Sequence, residues 1–296
     1  QTLFQLLGLM AKLEDIPQEY VGLGAGSTEF LEKAAVFNAL AGGDILLPTP
    51  TYGDIARFGR TLGSKLIEVP VSDDMAINLD AIRAAMTKNV KLIYLCNPNN
   101  PIPTIIEKNA LIEFINEYSD QATVLIDEAY FEYVDNENYE SMIGMVKENK
   151  NVIVTRTASK IHAFAGMRFG VCYAHPDIIK KMFGLFTNTL ALPAMRGAIA
   201  SYQDMEYQAF LRQKNKECQT IVSNMLDELN LEYVKSNANF IFFNAGRPSK
   251  EVAEIMKKHH ILTGREFAPF TNWVRLSLSK PEEMQYFVEK YKQDFG

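Results

Sequence analysis

Cysteine is scarce in this chain. Its 296 residues include three, Cys96, Cys172 and Cys218, and no two of them form a CxxC pair. A thiolate zinc site needs clustered cysteines and a disulfide framework needs an even set, so neither is expected, nor any other metal site. A reducing cytoplasm follows as the expected compartment. Basic residues are in deficit: 30 Lys and Arg face 36 Asp and Glu, for a formal charge of −6. Without a basic run, a nucleic-acid partner is excluded, because such binders carry a basic footprint. No apolar stretch approaches the roughly 20 residues of a membrane helix. The opening QTLFQLLGLMAKL lacks a basic lead and a cleavage site, so it reads as a helix rather than a signal segment. It begins with Gln, which leaves a natural start upstream as an expectation. Catalytic signatures are also missing. There is no GxxxxGK[ST], HExxH or GxSxG, and GLGAGS at 22–27 misses GxGxxG because Ser27 stands where the third glycine belongs.

What is present is an ordinary globular composition, 47% hydrophobic and 22% charged. The length suits one large or about two ordinary domains. Helical and strand-like segments alternate. STEFLEKAAVFNALAGG places Phe30, Leu31, Ala34, Phe37 and Leu40 at helical spacing and stops at Gly42-Gly43. DILLPT, SKLIEVPV, VKLIYLCN, ATVLIDEAY, NVIVTR and FGVCYA read as strands, with NLDAIRAAMTK and EKNALIEFINEYS as helices between them. Near-continuous Val/Ile/Leu strands between helices predict an α/β fold with a mostly parallel sheet buried on both faces. After about residue 190 the texture changes. A long helix over roughly 194–229 precedes LEYVKSNANFIFFNA, the helix SKEVAEIMKKH, the strand WVRLSLS and a last helix. SKPE should open that helix as a capping box. We therefore expect a large domain over 1–190, then a connecting helix and a smaller α+β domain over 191–296.

Several short motifs fall at expected strand ends. GAGSTE is a glycine-rich turn entering a helix. Its N–H groups and the Ser27 and Thr28 hydroxyls form either a phosphate cradle or a plain N-cap. NPNNP at 97–101 places three asparagines where ligands of open α/β sheets bind, or makes an ordinary turn. Asp127 ends an apolar strand, where a carboxylate must be paired. Lys160 lies in a short turn between two apolar strands, with Arg168 eight residues on. Singly, each has a bland explanation as turn residue, cap or ion pair. In the order GAGST, PTY, NPNNP, DEAY, SK and R, they can converge on one rim of a parallel sheet.

That ordered set resembles the fold type I pyridoxal-phosphate enzymes, the class I and II aminotransferases, nearest the histidinol-phosphate aminotransferase branch. The resemblance implies pyridoxal 5′-phosphate as cofactor, a mostly parallel seven-stranded sheet and a smaller C-terminal domain. It implies a Schiff base on Lys160, which then serves as base, with Asp127 facing the pyridine nitrogen. Tyr130 and Asn100 would bind the phenolic oxygen, and Tyr52 would stack on the ring. Gly26, Ser27, Thr28, Ser159 and Arg168 would hold the phosphate. Arg275 would grip the substrate carboxylate, with Asn100 and Arg265 as further substrate contacts. The partners implied are an amino donor, histidinol-phosphate-like, a 2-oxo acid acceptor and a second copy of the chain. A decarboxylase on the same scaffold and a catalytically impaired homologue are the alternatives. The family usually has Thr-Gly after NPNNP; here Ile102-Pro103 follows, so a different turn near Asn100 is expected. Family members also carry a longer N-terminal arm that reaches the partner subunit's phosphate site.

Overall fold

The computed structural model describes residues 1–184 and 189–296. Its larger sheet contains β1 (Val21–Gly24), β2 (Asp44–Thr49), β3 (Leu66–Pro70), β4 (Val90–Cys96), β5 (Thr123–Asp127), β6 (Val152–Thr157) and β7 (Gly170–Ala174). The spatial order is β1-β7-β6-β5-β4-β2-β3. Strands β3, β2, β4, β5 and β6 pair in parallel, while β7 runs antiparallel to both β6 and β1. The connecting helices are α1 (Thr2–Leu13), α2 (Ser27–Leu40), α3 (Asp54–Thr61), α4 (Leu79–Ala84), α5 (Lys108–Tyr118), α6 (Ile143–Lys147) and α7 (Pro176–Gly184).

Both faces of this sheet are covered, and the strands show it by alternation. Ile93, Leu95, Val124, Ile126, Val152 and Val154 pack on one side with Leu6, Met10, Leu111 and Phe114. Leu92, Tyr94, Leu125 and Ile153 pack on the other with Phe30, Leu31, Ala34 and Ile55. Burying each such side chain contributes about 1.5–3 kcal/mol, so the register is strongly fixed. In the α2 stripe, Phe30, Leu31 and Ala34 are buried as expected, but Leu40 is exposed.

The helical stretch after residue 190 divides in two: α8 (Leu192–Gln203) and α9 (Met205–Glu228). Asp204 breaks it, accepting the Tyr207 N–H at 2.9 Å as the cap of α9. Helix α8 joins the large core through Met195, Ala198 and Tyr202. A second sheet follows, from β8 (Tyr233–Val234), β9 (Phe240–Asn244) and β10 (Trp273–Ser277), in the order β10-β9-β8 and antiparallel throughout. Helices α9, α10 (Ser249–Lys257) and α11 (Pro281–Phe295) cover one face of it. The capping box expected at SKPE does not form. Lys280 is the cap residue of α11, and the Ser279 hydroxyl donates to Glu283 instead.

Candidate active site

The parallel arrangement brings the ends of β4, β5 and β6 to one rim, where Cys96 pairs with Asp127 and Asp127 with Thr155. Gly24, at the end of β1, meets the same rim because it pairs with Gly170, the partner of Thr157. A cleft of about 210 Å³ opens there, lined by Ser27, Thr28, Tyr52, Cys96, Asn100, Asp127, Ala129, Tyr130, Thr157, Ser159, Lys160, Ala165 and Arg168. A larger cleft, about 300 Å³, lies at the opposite edge of the sheet between α2 and α7, and none of these residues lines it.

Asp127 is 1% exposed. Thr155 Oγ1 donates to its Oδ1 at 3.0 Å and Tyr94 OH to its Oδ2 at 3.2 Å. Burial pushes its pKa up to about 6, against the pull of those two donors and of Lys160. The Lys160 amine lies 5.0 Å from the Tyr130 ring centroid. Burial first, and the charges of Arg275 and Arg168 after it, hold this amine below the usual lysine range, while Asp127 pulls the other way. Tyr130 is buried; its hydroxyl accepts from Asn100 Nδ2 at 3.4 Å, and burial raises its pKa. Tyr52 donates its hydroxyl to Asp54 at 2.8 Å, and burial pushes that phenol up to about 12.

The glycine turn ends with Gly26 at φ 91°, a region that favours glycine. Gly26 is the cap residue of α2 and Ser27 its first helical residue, so the plain N-cap by Ser27 does not occur. A Cβ on Gly26 would stand 2.5 Å from Arg168 Nη2. Arg168 donates to Ala25 O at 2.9 Å, Ala165 O at 2.9 Å and Ser159 Oγ at 3.3 Å. Thus a guanidinium, two helix-start hydroxyls and the Ser159 hydroxyl meet at one end of the cleft.

Neither arginine expected to contact substrate lines the cleft that holds Lys160, and the charge of Arg265 reaches Arg275. Arg275 lies beside Tyr130, with its guanidinium 4.0 Å from the Phe240 ring centroid; burial lowers its pKa. Its Nη1 donates to Ser277 at 3.3 Å, and its buried Nε has no partner. Arg265 lines an adjoining cleft of about 260 Å³ with Thr51 and Gly53, not the cleft that holds Lys160.

The chain is similar to known proteins in sequence and fold. The family model for aminotransferase class I and II matches residues 1–290. The chain belongs to that family. The aminotransferase is 30% identical over 288 residues to the histidinol-phosphate aminotransferase of Moorella thermoacetica, covering 96% of this chain and 74% of the relative. It is 28% identical over 286 residues to the aromatic amino acid aminotransferase of Mycobacteroides abscessus, covering 96% and 81%. Its fold matches the crystal structure of histidinol-phosphate aminotransferase from Sinorhizobium meliloti in complex with pyridoxal 5′-phosphate at a TM-score of 0.88, with 21% identity, 99% of this chain and 82% of that one.

Pyridoxal 5′-phosphate is the cofactor of the aminotransferase, and the cleft fits it. An anion-binding helix start with an arginine lies at one end. The cleft also holds a buried carboxylate suited to a cationic ring and a lysine of depressed pKa. Sequence reasoning missed the supporting residues. Tyr94 and Thr155 orient Asp127 from neighbouring strands. Glu29 accepts the Ala25 N–H at 2.6 Å and pairs with Lys33 at 2.8 Å, bracing the glycine turn from behind. Of the three asparagines, only Asn100 lines the cleft. Asn97 Oδ1 accepts the Ile106 N–H and Asn99 Oδ1 the Thr51 hydroxyl, so both build the turn. The change to Ile102-Pro103 does not move Asn100 out of reach of Tyr130.

Proposed function

We propose that this aminotransferase moves an amino group between an amino acid or amino-alcohol phosphate of the histidinol-phosphate type and a 2-oxo acid. The observation that carries the reading is the single cleft shared by Lys160, Asp127 and the Gly26–Arg168 cradle. Pyridoxal 5′-phosphate, when bound, supplies an aldehyde that captures amines and a protonated ring that draws electrons from the substrate Cα.

In this reading Asp127 holds a proton on the ring nitrogen by remaining anionic, helped by Thr155 and Tyr94. Lys160, whose depressed pKa favours the free amine, would accept the proton from Cα and return it to the carbon on the far side of the transferred nitrogen, a 1,3-shift. Tyr130 and Asn100 orient the phenolic oxygen, and Tyr52 supports the ring. Gly26, Ser27, Thr28, Ser159 and Arg168 bind the phosphate, with Arg168 giving a charge-assisted grip. Arg275 takes the carboxylate of the acid partner, its free Nε leaving a donor for bidentate contact. Arg265 reaches the distal group of longer substrates from the adjoining cleft.

The working unit in this reading is a homodimer, supported by the exposed apolar side chains of Leu3, Phe4 and Leu192 on α1 and α8. A cytoplasmic location accords with three free, buried cysteines. Among the described residues, no helix is long and apolar enough to cross a membrane.

The test supplies histidinol phosphate, aromatic amino acids and threonine phosphate with 2-oxoglutarate. Glutamate formation is expected from the first two. Carbon dioxide released from threonine phosphate without glutamate from any donor would replace transamination with decarboxylation.

A further inference from the structure

Strands β9 and β10 use their two faces differently. Ile241, Phe243, Val274 and Leu276 point into the small core. Alternation along a strand turns Phe240, Phe242, Trp273 and Arg275 the other way, toward the loops of the large sheet. There Phe240 meets Tyr130 edge-on, with ring centroids 5.2 Å apart. Phe242 and Trp273, stacked at 5.0 Å, pack with Ile102, which is fully buried in the turn after Asn100. The next residue adds a polar clasp: the Pro103 carbonyl accepts the Asn237 backbone N–H and Asn237 Nδ2, each at 3.1 Å. Arg275 is bracketed by these contacts. It stands opposite Phe242 in the ladder, two residues from Trp273, and its guanidinium lies over Phe240.

We propose that Ile102 is a positioning residue, whose packing against Phe242 and Trp273 sets the distance between the Arg275 strand and the Asn100 turn. The carboxylate grip is then preset before substrate arrives. The apolar wedge explains why a buried isoleucine occupies this turn: a threonine would bring its hydroxyl among aromatic rings, where burial without a partner is costly. The proposal rests on Arg275 as the carboxylate site and extends that reading to a residue that touches neither substrate nor cofactor.

The experiment compares wild type, Ile102→Val, Ile102→Thr and Ile102→Ala, each loaded with pyridoxal 5′-phosphate. The titrant is 2-oxoglutarate, which has no amino group to transfer, so calorimetry reads binding alone. Trp273 is the sole tryptophan, and its emission reports the packing around Ile102. Ångström-scale misplacement of a binding group commonly costs one to two orders of magnitude. On that scale Ile102→Thr and Ile102→Ala weaken 2-oxoglutarate about tenfold, with red-shifted Trp273 emission, while Ile102→Val and the cofactor Kd stay within about twofold. Unchanged 2-oxoglutarate affinity in Ile102→Ala overturns the proposal. So does an equal loss of cofactor affinity, which marks general loosening. If Ile102→Ala does not fold, Ile102→Thr and Asn237→Ala, which removes one arm of the Pro103 clasp, decide in the same terms. Arg275→Lys separates the two ideas: if it binds 2-oxoglutarate as wild type does, the carboxylate reading falls and this proposal with it.

Discussion

Asp127 is held against its own solvation. A carboxyl moved from its ordinary 3.8 to about 6 by burial costs the folded protein stability wherever it must ionise. The penalty is absent below the unfolded value near 3.8 and complete above about 6. Two pKa units correspond to roughly 3 kcal/mol. Without cofactor, Asp127→Asn should therefore gain stability relative to wild type as pH rises from 4 to 7, by up to about 3 kcal/mol. It should lose activity over the same range. Urea unfolding of both proteins across pH checks this, and a constant difference would show that Asp127 carries no such burden. Lys160, Asp127 and Arg168 each had a bland explanation singly; the order of the motifs and the family resemblance singled them out, and the structure brings them to one cleft. Tyr94 and Thr155 were not singled out. A tyrosine and a threonine within strands look like core residues until strand pairing sets them beside a carboxylate.

At the scale of elements, the cradle depends on how closely β7 approaches the turn after β1. A Cβ on Gly170 would lie 2.5 Å from Gly26 C and 2.7 Å from Ser27 N, both backbone atoms with no room to yield. Gly170→Ala should cost about 1–3 kcal/mol of stability through overpacking and weaken cofactor binding by tenfold or more. Gly144→Ala, where a Cβ meets nothing within 4 Å, should leave cofactor affinity unchanged. Equal cofactor affinity in Gly170→Ala would show that the turn does not bind the phosphate. The strands and α2 followed from period and punctuation. The break at Asp204 escaped because aspartate is tolerated on an exposed helical face, and only its capping of Tyr207 reveals the new start. The failed box at SKPE reflects a choice between two glutamates, in which Glu283 takes the Ser279 hydroxyl.

At the scale of the whole molecule, the two sheets meet where the chemistry would occur. Lys160 and Asp127 belong to the large sheet's rim, while Arg275 comes from the second sheet and reaches Tyr130 across the junction. That meeting joins Tyr130 to Arg275, which are far apart in the chain, so no local pattern shows it and only the ordered motif set hinted at it. The apolar residues left exposed on α1 and α8 predict a particle of twice the 33.4 kDa chain mass in sedimentation; a 33.4 kDa particle at working concentration would contradict the dimer.

Lys160, in the proposed function, binds the cofactor covalently. The most direct test is the visible absorption spectrum of wild type and Lys160→Ala after incubation with pyridoxal 5′-phosphate and removal of the excess. The expected result is a protonated-imine band in wild type that borohydride reduction fixes to the chain at Lys160, and no such band in Lys160→Ala. A wild type without the band, or a variant that keeps it, would show that Lys160 does not hold the cofactor.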